Sequence, residues 1–203
     1  AGLRVVEATT TWAGPMCGCL LADFGADVIK VEHPEGEIAR RSPPFLPGTD
    51  PPISFMHATL NRNKRSLSLD LRQADGQALL RDLVKQSDFL LANCRPGTME
   101  KWGLGWSELS AINPRLIMIR VSGFGQTGPY SRQAGFGAIG EAMGGLRYVV
   151  GDPSTPPSRM GISIGDSLAA TFACIGGLSA LHHRDKTGRG QVVDSAIYEA
   201  VLN

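Results

Sequence analysis

A chain whose first thirty or so residues run β-branched strand, turn, apolar helix and second β-branched strand has few folds open to it. Leu3–Glu7 is a short β-branched run that reads as a buried strand. Ala13-Gly14-Pro15 follows, then an apolar helical stretch to Phe24, with Gly25 placed to end it. Asp27–Glu32 (DVIKVE) is a second strand. A unit of that size is a right-handed parallel crossover, and the same alternation continues downstream. Further strands are expected at Ser66–Leu71, Asp88–Asn93, Leu116–Ser122 and Gln191–Ser195. Helices are expected at Ala74–Gln86 (Leu79, Leu80, Leu83 and Val84 on one face), Gly97–Ile112 (broken near Gly103), Phe136–Leu146 and Asp166–His182, with a last one after Ser195. His33–Ser54, Gly123–Gln133 and Val150–Met160 are loops rich in Gly and Pro. Alternating elements of this kind define an α/β fold with a mostly parallel sheet flanked by helices.

Composition narrows the function. With 20 Lys+Arg against 19 Asp+Glu in 203 residues, the net charge is +1, which leaves no electrostatic footprint for nucleic acid or an anionic membrane. No apolar run approaches the roughly 18 residues that span a bilayer. Ala1–Thr10 reads as a strand and not as a signal peptide. Cys17, Cys19, Cys94 and Cys174 lie in apolar segments without metal-type spacing, which fits reduced thiols in a cytosol-like compartment. Val193–Asn203 runs through an apolar helical pattern without a cap, Gly or Pro, and reads as an exposed apolar helix in a chain that continues downstream.

Several motifs could carry chemistry. Gly123-Phe-Gly125-Gln-Thr-Gly128 matches the spacing of a dinucleotide fingerprint and follows a strand. Pro129 and Tyr130 come next in place of an apolar helix, so a flexible loop beside a sheet edge is the alternative. Asn93-Cys-Arg95-Pro96-Gly97 closes a strand, where side chains face the ligand crevice of a parallel sheet. Asn93 can offer amide donors and Arg95 a planar cation for phosphate, or the segment can be a turn with a solvated Arg. Asn61–Arg65 is a basic run that is either a solvated face or an approach to polyphosphate. His57 lies in a loop-like region without an evident partner, and His182-His183 beside Arg184 suit a cationic helix end.

Asp166 opens the long helix and has two readings. An Asp there commonly caps the helix. It can also be a nucleophile, because a carboxylate ionised near its ordinary pKa of about 3.9 can attack an acyl thioester without prior activation.

Taken together, AGP (Ala13–Pro15) with LLADFGADVIKVEHPEG (Leu20–Gly36), NRNKRSLSLDL (Asn61–Leu71), NCRPGTMEKWGLG (Asn93–Gly105), NPRLIMIRVSGFGQTGP (Asn113–Pro129), GISIGD (Gly161–Asp166) and TGRGQVVDSAIYEA (Thr187–Ala200) resemble the family III CoA-transferases. That group also holds formyl-CoA and carnitine CoA-transferases and the α-methylacyl-CoA racemases. The likeness covers essentially the whole chain and corresponds to the N-terminal half of such proteins. It implies a Rossmann-like CoA-binding large domain over residues 1–203, with 186–203 leading toward a linker and a small domain. It places the family's catalytic aspartate on Asp166, which would form a mixed anhydride with the donor acyl group and then an aspartyl-CoA thioester. The family's CoA-contacting positions fall on Trp12, Ala13, His33, Leu69, Asn93, Cys94 and Lys101. Coenzyme A would enter as the acyl-CoA substrate, with a carboxylic acid as acceptor and no metal. The resemblance further implies an interlocked homodimer in the cytoplasm or an organellar matrix, with neither nucleic acid nor membrane as partner.

Some positions depart from the family pattern. His33 stands where several relatives carry an Arg near the CoA phosphates. Phe136, followed by Gly137, stands where racemases carry their catalytic His followed by Asp, and Phe cannot transfer a proton. The expectation is therefore a transferase. A racemase, a non-catalytic CoA-binding module and a nicotinamide enzyme are the other readings.

Overall fold

The computed structural model describes residues 2–202, so the end residues of the Ala1–Thr10 and Val193–Asn203 readings, Ala1 and Asn203, lie outside it. Six strands form one fully parallel sheet: β1 (Arg4–Ala8), β2 (Asp27–Glu32), β3 (Lys64–Ser68), β4 (Phe89–Ala92), β5 (Ile117–Ser122) and β6 (Val192–Ala196). Their order across the sheet is β3-β2-β1-β4-β5-β6. The chain therefore winds outward from β1 in one direction and returns to wind outward from β4 in the other. A crevice opens between β1 and β4, beyond their carboxyl ends, where such sheets hold ligands.

The helices follow from local chemistry. α1 (Ala13–Asp23) and α8 (Ile164–Thr187) pack on one face of the sheet. α3 (Ala74–Lys85), α4 (Thr98–Lys101) and α5 (Trp106–Ile112) cover the other, where Leu80, Val84, Met99 and Leu109 are buried with Leu90 and Met118. α8 lies close to the strands because its inner face is nearly bare. A methyl group on Gly177 would come within 2.6 Å of Ile119, and one on Gly176 within 2.7 Å of Val193. This closeness sets the depth at which the helix start reaches the crevice.

Some expectations shift. α2 (Phe55–Leu60) is a helix in the stretch read as loop, with Ser54 Oγ accepting the His57 amide at 3.3 Å. The strand expected at Ser66–Leu71 begins at Lys64 and ends at Ser68, because β2 pairs with it from Val28–Lys64 to Glu32–Ser68. Leu69–Leu71 are thereby left at the crevice. On α3 Leu79 is exposed while Leu80 and Val84 are buried. The Phe136–Leu146 helix is two, α6 (Gly137–Met143) and α7 (Leu146–Val149), broken at Gly145 with φ of 83°. α8 runs five residues past His182 to Thr187, so His182-His183 are interior to it and Gly188 ends it.

α8 also corrects the statement about apolar runs, being long and apolar enough by length and composition to cross a bilayer. In this fold its inner face packs on the sheet, and Arg184 near its end is buried and paired with Asp88 at 2.7 Å. The final helix, α9 (Ile197–Val201), is not an exposed apolar face: Ile197, Ala200 and Val201 are buried against α6 and α8.

Candidate active site

The crevice holds two adjoining cavities of about 250 and 300 Å³. The first is lined by Thr10–Ala13 after β1, Asn93–Pro96 after β4, Val121–Gly123 at the end of β5, Ser131 and Gln133–Phe136 of the next loop, and Asp166. The second opens over the carboxyl ends of β1, β2 and β3, between His33, Glu37, Leu69–Arg72, Met99 and Trp102, and it shares Thr10, Asn93 and Cys94 with the first. Seven of the eight residues expected from sequence therefore meet in one crevice: Asp166, Trp12 and Ala13 in the first cavity, His33 and Leu69 in the second, Asn93 and Cys94 in both. Lys101 is exposed on α4 and lines neither.

Asp166 is not the helix cap. Ser163 holds that position and Asp166 is the third residue of α8, in its first turn. Its Oδ2 rests against the backbone of Gly137, where a β-carbon would lie 2.2 Å away. Burial, opposed by Arg159 and aided by Glu141, pushes its carboxyl up to about 6. The expectation of an acid near its ordinary pKa is therefore corrected: desolvation outweighs the helix dipole. At pH 7 the carboxylate still predominates, and it is more basic than an ordinary Asp.

The turn between β1 and α1, residues 9–12, contains no glycine. Its backbone groups are held by side chains from elsewhere. Lys30 Nζ donates to the Thr9 carbonyl at 3.0 Å. Asn93 accepts the Thr10 amide through Oδ1 at 2.9 Å and donates from Nδ2 to the Thr10 carbonyl at 2.7 Å. Its amide is thus taken up in positioning the turn, which revises the reading of Asn93 as a free donor. Glu37 Oε2 accepts the Thr11 amide at 2.6 Å. Beneath the turn lies a buried charge network: Glu7 contacts Lys30 at 3.2 Å and Lys64 at 2.7 Å, and Lys30 contacts Glu37 at 3.0 Å. Gly14 and Gly18 of α1 leave room for Thr9 and Glu7.

Other expectations resolve in the same way. The basic run at Asn61–Arg65 is not aimed at phosphate: Arg62, Asn63 and Arg65 stay exposed, the first two binding Asp23 and the last meeting Asp27 at 3.2 Å, while Lys64 departs from a solvated face and is buried on Glu7. The Gly123–Gly128 loop follows β5, which β6 covers, so it does not sit beside a sheet edge. Gly123 instead touches the Gly135 backbone, and no helix begins before Gly137. The turn where a dinucleotide fingerprint belongs is the glycine-free one after β1. His57 has Glu32 3.9 Å away, and burial lowers its pKa, so it is neutral at pH 7. Burial raises the pKa of all four thiols, which suits packing over reactivity.

The sequence alone did not single out Arg72. It follows the second cavity's apolar wall, contacts His33, and grips Asp70 through Nε and Nη2, both at 2.9 Å. It is a cation beside the His33 ring, and its signal was its place just past a strand end.

A doubly wound parallel sheet with a partly buried carboxylate at its switch point, beside two adjoining cavities, is the frame of a ligand-binding α/β protein. The model of the CoA-transferase family III matches residues 1–203, and the chain belongs to that family. It is 58% identical over 98% of its length to succinyl-CoA–D-citramalate CoA-transferase of Chloroflexus aurantiacus, and covers 49% of that protein. It is 40% identical to succinyl-CoA:mesaconate CoA-transferase of Haloarcula hispanica, over 99% of this chain and 52% of the other. A crystal structure of a CAIB/BAIF family protein from Brucella suis superposes with a TM-score of 0.95 at 39% identity, covering 99% of this chain and 53% of that one. The chain thus spans about half the length of the relatives it matches.

Proposed function

We propose that this chain is the CoA-binding, nucleophile-bearing portion of an enzyme that moves CoA from succinyl-CoA to a short dicarboxylic acid, with Asp166 as the attacking group. The observation that carries it is the place of Asp166: a carboxylate of raised basicity at the inner end of a cavity that adjoins a second, more apolar one. The activities for which the relatives are named support the substrate class. An acyl-CoA would lie across the pair of cavities. Leu69, Leu71 and Trp102 offer apolar surface for a base, Arg72 offers a cationic group beside the His33 ring, and the shared Thr10 and Cys94 line the way toward Asp166.

The chemistry then needs only this residue and the substrates. An Asp166 oxygen bonds to the thioester carbon, and the C–S bond breaks to leave a mixed anhydride and CoA thiolate. The thiolate attacks the aspartyl carbon, and the donor acid leaves. The acceptor carboxylate attacks the resulting aspartyl thioester, again expelling thiolate, which takes the acceptor acyl group and restores Asp166. No proton is consumed across the cycle, because a carboxylate enters and a carboxylate leaves. Phe136, exposed at the cavity wall, offers no proton, which supports transfer over racemisation. The proposal includes the homodimer for the full-length protein.

Hydroxylamine added to full-length protein incubated with succinyl-CoA should convert Asp166 to its hydroxamate, seen by peptide mass spectrometry. Undiminished transfer by Asp166→Ala would overturn the reading.

A further inference from the structure

We propose that Glu37 is a positioning residue for the acyl-CoA crevice: it holds Thr11 in a left-handed backbone conformation and so sets the turn that faces Asp166. The inference rests on the CoA reading above.

Thr11 has φ of 72°. That region is disfavoured for an L-residue, and most of all for a β-branched one. Glycine is the ordinary solution at such a turn, and this turn has none. Something outside it must therefore hold Thr11, and only one side chain takes its amide, Glu37 through Oε2 at 2.6 Å. The bond is from an amide to a buried carboxylate, the stronger class of hydrogen bond.

Glu37 is itself fixed. It is 5% exposed. Its Oε1 lies 3.0 Å from Lys30 Nζ, and its own amide donates to Glu32 Oε1 at 2.8 Å. Lys30 in turn holds the Thr9 carbonyl, and Asn93 holds both backbone groups of Thr10. Thr9 and Thr10 could take these contacts in an ordinary extended backbone. Thr11 alone needs a restraint against its own preference. Glu37 also lines the second cavity, while Thr11 lines the first, so one carboxylate joins the wall of one to the backbone of the other.

The test is a double-mutant cycle in the full-length protein, read as CoA affinity by calorimetry and as KM and kcat for succinyl-CoA. Glu37→Ala should weaken CoA binding about tenfold, the scale of the left-handed penalty, and raise KM more than it lowers kcat. Thr11→Gly in the Glu37→Ala background should recover most of that loss, since glycine adopts positive φ without cost. A Glu37 that served only the stability of the charge network would show no such rescue, and absence of rescue overturns the proposal. If Glu37→Ala does not fold, Glu37→Gln serves as the first variant, and Thr11→Gly must then close its difference from wild type. Wild-type protein that binds no CoA would sink the CoA reading together with this one. Wild type that binds it beside an unchanged Glu37→Ala would sink this inference alone.

Discussion

At the residue scale the proposed chemistry turns on one acid and the glycine beside it. Replacing Asp166 by Asn or Ala should reduce CoA transfer on the order of 10³-fold or more, measured as acceptor acyl-CoA formed. With the carboxyl pushed up to about 6, the rate in the wild type should fall about tenfold per pH unit below 6 as the nucleophile is protonated. Stability should move the opposite way. The folded-state pKa lies above the ordinary 3.8, so the folded protein takes up a proton between about 6 and 3.8 and the group's contribution improves as pH falls through that window. Above 6 the buried charge is a cost, and Asp166→Asn should stabilise the protein at pH 8 by about 1 kcal/mol in urea unfolding. Gly137→Ala tests the seat of the acid. Its methyl would enter at 2.2 Å from Oδ2, and the displaced carboxylate should lose on the order of a hundredfold in rate with the fold intact by circular dichroism.

At the element scale the first β-α unit shows how much of the fold was legible in the chain. The β-branched runs at Arg4–Ala8 and Asp27–Glu32 and the apolar stretch between them are where periodicity puts them. Gly18 shows what periodicity leaves out. It looks like one more small residue of an apolar helix, yet a β-carbon there would lie 1.9 Å from Glu7 Oε2. Glu7 is fully buried on Lys30 and Lys64 and cannot move aside. Gly18→Ala should therefore cost about 3 kcal/mol or more in urea unfolding. The same gap explains the one departure in the basic run: Lys64 looks solvated in sequence because its partner, Glu7, is far away in the chain. Arg72 and Glu37 escaped notice for that reason, since their worth is in contacts that local pattern does not encode. Asp166 was visible as an acid at a helix start. Its raised pKa was not, because desolvation comes from α6 packing over it.

At the scale of the whole molecule, the sheet is well covered but the outer surfaces are not uniformly polar. Phe172, Ile175 and Leu178 on the outer side of α8 are each roughly half-exposed, as are Ile139 and Met143 on α6. A chain of 203 residues expressed by itself should accordingly bind the dye ANS, and a Phe172→Gln, Ile175→Gln, Leu178→Gln variant should bind much less of it. The strand order has a consequence for synthesis. β1 takes β2 on one side before β4 arrives on the other, so the sheet grows from its middle in the direction the ribosome delivers it. The clamped turn and the second cavity's strands belong to the first hundred or so residues, whereas Asp166 follows the fifth strand. Asp166 is therefore translated after the opposite wall of its crevice, and the nascent chain can shape that wall before it carries the acid proposed to react there.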